Sequence, residues 1–87
     1  MIGPRLTHYK GLYRNLVFIS KQSGKVYKKI GDFNSLIGRI YTVVQILPHD
    51  ENPMYLDIPP HLLRKVENDD EFMSIVRKIE KQRDLRG

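Results

Sequence analysis

Lys25, Tyr27 and Lys29 stand at alternating positions. On an extended strand every second side chain faces the same way, so these three would project together as two cations flanking an aromatic ring. The combination suits a polyanion with exposed rings. Ammonium groups neutralise phosphates and release counterions, and an aromatic face stacks on an unpaired base. Lys28 adjoins them, and Lys10, Tyr13, Arg14, Phe33 and Arg39 add cations and rings in the same half of the chain. These nine residues are the candidate nucleic-acid-binding set. The bland alternative is a solvated basic strand face whose tyrosine caps the core; clustered charge makes a patch only if folding gathers it.

Charge is sorted along the chain. Residues 1–47 carry eight Lys/Arg against one acid, Asp32, a formal +7, whereas residues 48–87 carry seven against nine, a formal −2. This asymmetry points to DNA, RNA or an acidic protein surface as the partner of the first half. An N-terminal arm with His8, Tyr9, Lys10, Leu12, Tyr13 and Arg14 would order on such a partner, or simply pack on the domain.

The residues speak against catalysis. With no cysteine, disulfides, thiolate zinc and thiol chemistry are excluded together. Ser20, Ser23, Ser35 and Ser74 have no glycine-flanked elbow, and Gly24-Lys25 lacks the upstream glycine of a phosphate loop. His8, His49 and His61 fall in loops or turns without a partner at regular spacing, and His49-Asp50-Glu51 matches no ligand pattern. The expectation is a non-enzymatic protein with no cofactor and no metal.

The 87 residues are read as a single domain spanning 1–87. No apolar run approaches the roughly 20 residues that span a bilayer, and Gly3-Pro4-Arg5 interrupts any leader at once. The lack of cysteine fits a reducing compartment. A cytoplasmic protein without membrane contact is expected, a monomer or a weak homodimer.

The elements that must position the candidate residues follow from periodicity. Residues 1–11 are an irregular lead-in punctuated by glycine and proline. Leu12 to Ser20 reads as a strand, Lys21 to Gly24 as a turn, and Lys25 to Ile30 as the returning strand, with Val26, Lys28 and Ile30 on the inward face. Gly31 to Ser35 reads as a loop. Ile37 to Leu47, apolar on both sides, is the central strand. Met54, Leu56 and Ile58 alternate inward on a fourth strand that Pro59-Pro60 ends. A 3₁₀ turn at Pro60 to Leu63 and a fifth strand at Leu63 to Glu67 follow. Phe72, Ile75, Val76 and Ile79 recur at helical spacing. Asn68 caps that helix and Glu71 completes a capping box. Asp69-Asp70-Glu71 complement the positive end of its dipole. The helix is placed at about 69–84.

The bent strand Gly38-Arg39-Ile40-Tyr41-Thr42-Val43-Val44 and the turn Ile58-Pro59-Pro60-His61-Leu62-Leu63-Arg64-Lys65-Val66 resemble the SH3-like small barrels, the class that includes KOW and Tudor domains. The resemblance spans residues 12–67 and implies a mainly β (α+β) fold: a five-stranded small barrel capped by the C-terminal helix. It does not extend to proline-rich peptide recognition, because the chain has no tryptophan. An open antiparallel sheet with the helix across it is the alternative.

Overall fold

A computed structural model gives the fold of residues 13–48, 52 and 54–86. A 3₁₀ turn (Arg14–Leu16) leads into β1 (Val17–Ser20), β2 (Val26–Ser35), β3 (Gly38–Leu47) and β4 (Tyr55–Ile58). A second 3₁₀ turn (Pro60–Leu62), β5 (Leu63–Lys65) and the helix α1 (Asp69–Arg86) follow. The five strands form one sheet in the order β4-β3-β2-β1-β5, antiparallel throughout. The fold is mainly β with one helix, as the sequence predicts.

The barrel is corrected to an open sheet. β4 and β5 are its two edges, with no ladder between them. Both are short, and Pro59-Pro60, which lack amide donors, end β4. Side chains reach where the backbone does not. Leu63 of β5 is buried with Phe18, Tyr27 and Val43, and Leu56 and Ile58 of β4 pack on the same cluster. The sheet is therefore curled around one apolar face.

Its other face is covered by α1. Val17, Val26, Leu47 and Val66 bury there with Ile75 and Ile79 of the helix, and Ile19, Ile46 and Phe72 pack around them. The predicted apolar stripe is thus buried inside the chain, which removes it as a homodimer contact. The Asn68 side chain accepts the Glu71 N–H at 2.9 Å. The Glu71 carboxylate reaches back to the Glu67 N–H, also at 2.9 Å, one residue beyond the partner a standard capping box uses.

Turn chemistry explains the two hairpins. Ser20 Oγ accepts the N–H groups of Gln22 and Ser23, each at 3.3 Å, and Gly24 takes a φ of +75° that glycine adopts without steric cost. At the second hairpin Ser35 Oγ donates to the Gly38 carbonyl at 2.8 Å and accepts the Ile37 N–H at 3.2 Å. Gly38 has a φ of +117°. Ser35 pairs with Gly38, so Leu36 and Ile37 alone make the loop.

Four other expectations change. Gly31 to Ser35 is strand, paired with β3 from Gly31↔Thr42 to Ser35↔Gly38. What allows this is a bulge: the register shifts between Lys29 and Gly31, leaving Ile30 unpaired and exposed. A bulge bends the strand and lets pairing resume beyond it. Accordingly Val26, Lys28 and Ile30 do not form one inward face. Residues 14–16 are 3₁₀ rather than strand. Met54 does not point inward but is 69% exposed, outside the ladder that starts at Tyr55.

Candidate interaction surface

The expected basic strip does not assemble. Tyr27 is only 6% exposed, packed among Phe18, Val43 and Leu63, so its ring is closed to a stacking base; this corrects its assignment to the strip. Lys25 precedes β2, in the exposed turn. Lys28 pairs across the sheet with Val17 and Val44, whereas Lys29 pairs with Val43. Side chains of consecutive strand residues leave on opposite faces, so the two lysines diverge.

Lys29 and Arg39 are drawn together instead by Asp32. Lys29 Nζ lies 2.9 Å from Asp32 Oδ2 and Arg39 Nη1 3.2 Å from Oδ1. The Lys29 ammonium, hydrogen-bonded to this carboxylate, holds the Asp32 carboxyl below its ordinary range, with the Arg39 charge assisting. Lys29 also sits 4.2 Å over the Tyr41 ring, an intramolecular cation–π contact. Its side chain is 21% exposed. The one acid of the basic half thus occupies two of that half's cations.

Arg14 is occupied from the other half. Its Nη1 lies 3.0 Å from Asp69 Oδ1, at the start of α1. Tyr13 beside it is exposed. Arg39 belongs to the far end of the sheet, paired with Asn34, so it does not meet Arg14. Phe33 faces Ile40 across the hairpin, next to Arg39. Lys10 lies outside the described residues, as do His8, Tyr9 and His49-Asp50-Glu51. Lys25 and Lys28 have no ion pair among the described residues, but they stand on different elements, turn and strand.

The apolar end of the β2–β3 hairpin is what the folded surface does gather. Leu36 is fully exposed and Ile37 is 83% exposed. With Phe33, the buried Ile40 and Pro59 they line an open groove of about 450 Å³. Among the described residues Asp57 is the one charged side chain that lines it. It stands opposite Thr42 on the neighbouring strand, and Thr42 Oγ1 donates to its carboxylate at 3.1 Å. Charge reading overlooks this region, because Leu36 and Ile37 are uncharged and Ile37 passes for the start of a strand. The available signal is turn chemistry: Asn34-Ser35 and Gly38 bracket two aliphatic residues, the spacing of a two-residue hairpin loop.

Among the described residues no three His, Cys, Asp or Glu side chains gather closely enough to hold a metal ion. No helix among them is long and apolar enough to cross a membrane. Comparison with protein-family models, with curated proteins and with solved structures finds no match.

Proposed function

We propose that this chain is a non-enzymatic interaction module, an adaptor or inhibitor that docks on a larger protein through the end of its β2–β3 hairpin. One observation carries the reading: Phe33, Leu36 and Ile37 are exposed side by side at a two-residue loop. Solitary exposed aliphatics are ordinary, but a contiguous exposed apolar patch is one of the marks of a protein contact. The strand order, with a 3₁₀ turn between β4 and β5, supports a reading of the sheet as an SH3-like barrel left open. The formal +5 charge adds steering toward an acidic partner surface, which affects association rate more than affinity. The cysteine-free sequence supports a cytoplasmic setting.

Nucleic-acid binding is the second reading. Lys25 and Lys28, unpaired among the described residues, and the net charge favour it. The burial of Tyr27 and the pairing of Lys29, Arg39 and Arg14 to acids count against it.

A paired experiment separates the two. Leu36→Asp with Ile37→Asp abolishes recovery of a stoichiometric protein partner that survives nuclease treatment, while Lys25→Glu with Lys28→Glu leaves it intact. The opposite pattern, with a salt-sensitive gel shift of DNA or RNA lost only in the lysine variant, overturns the docking reading.

A further inference from the structure

The groove has a chemical preference, and the inference about it rests on the docking reading above. We propose that it accepts a short extended segment of the partner protein in which a Lys or Arg stands two residues from an aliphatic side chain. Charge complementarity is the first argument. Among the described residues, apolar walls and Ser35 surround one carboxylate, Asp57, and no cation lines the groove. Asp32, Asp69 and Glu71 each hold a cation of this chain, but Asp57 has no ion pair among the described residues. Its hydrogen bond from Thr42 leaves further acceptor capacity on the carboxylate. A long cationic side chain fits such a place well, since its methylenes lie on apolar walls while its head reaches the carboxylate.

Backbone geometry is the second argument. β4 is an outermost strand, and Tyr55–Ile58 contains no lysine or proline of the kind that blunts an edge. A segment added along that edge sends alternate side chains to the face that bears Asp57. Residues two apart then lie about 7 Å from each other, so one reaches the carboxylate while the other meets the apolar walls. The +5 charge of the whole chain opposes a cationic ligand at long range, but at physiological salt that repulsion decays over about 8 Å. Close in, the carboxylate decides.

Selection from a randomised octapeptide display library, with the full chain as bait, tests this. The expected result is enrichment of Lys or Arg at two-residue spacing from Leu, Ile or Val. Binding of the selected peptides falls at least tenfold in Leu36→Asp with Ile37→Asp. In Asp57→Asn, a conservative change at an exposed position, the basic enrichment disappears while apolar peptides still bind. Peptides that bind at the hairpin without basic enrichment, or with acidic enrichment, overturn the charge preference and leave the docking reading standing. Peptides insensitive to the hairpin variant, or no enrichment at all from a bait with wild-type thermal unfolding, overturn both.

Discussion

Arg64 and Glu71 meet in a two-point ion pair, Nη2 to Oε2 at 2.8 Å and Nη1 to Oε1 at 3.1 Å. It fastens β5 to the first turn of α1, and Glu71 Oε1 accepts the Glu67 N–H at the same time. Arg64, first of all, and then that N–H pull the Glu71 carboxyl from 4.5 down to about 2. The Arg64 guanidinium is in turn held in its charged form.

Acid stability follows with a definite sign. A carboxylate whose folded pKa is depressed contributes stability above its unfolded pKa and loses it as pH falls through the folded one. The window for Glu71 therefore runs from about 4.5 down to about 2. The urea midpoint should fall as pH drops through that window. Glu71→Gln should be less stable at neutral pH and should show a shallower decline, the remainder coming from groups such as Asp32, whose carboxyl is also held low. Urea unfolding at several pH values checks this.

Helix capping gives a second expectation. Asn68→Ala removes the acceptor of the Glu71 N–H and should cost about 1 kcal/mol. Asn68→Gly should cost only a few tenths. Equilibrium unfolding monitored by far-UV circular dichroism distinguishes the two.

Core and tip should respond oppositely. Ile75 is buried in the cluster under α1, so Ile75→Ala should destabilise by roughly 2–5 kcal/mol through lost contacts and the cavity left behind. Leu36→Ala, at a fully exposed position, should stay within about 0.5 kcal/mol of wild type. A tip change that proved as costly as the core change would show that Leu36 is packed, which would count against its role as a docking residue. Denaturant midpoints are the readout.

Two glycines differ in what they do. Gly38 has a φ of +117° with open space around a prospective Cβ, so Gly38→Ala carries backbone strain alone, on the order of 1–3 kcal/mol. Gly31 also has open space and no positive φ. Gly31→Ala should be close to neutral. Thermal unfolding of the two variants, measured side by side, tests the contrast.

Local pattern made much of the fold legible. The stripe Phe72, Ile75, Val76, Ile79 and the cap at Asn68 locate α1 because both are contacts within a few residues of each other. The break at Pro59-Pro60 is legible because proline acts on its own backbone. The extension of β2 through Gly31 to Ser35 is not, since it depends on a bulge at Ile30 that only the pairing with β3 creates. The site was less legible for the same reason. Whether Tyr27 faces a ligand or the interior depends on which face of the sheet the chain curls around. Whether Lys29 is a free cation depends on Asp32 being swung beside it by that bulge.

Val17 and Phe18 are neighbours in sequence, yet one is buried under α1 and the other on the opposite side of the sheet. Val26 and Tyr27 repeat the arrangement on the adjoining strand. A β1–β2 ribbon therefore serves as a party wall between two hydrophobic rooms. Fraying of α1 would open one room and leave the other closed, whereas parting of β1 from β2 would open both at once. Native-state amide exchange should accordingly be slowest along this ribbon, at the free energy of global unfolding, with the helix amides exchanging through a cheaper partial opening.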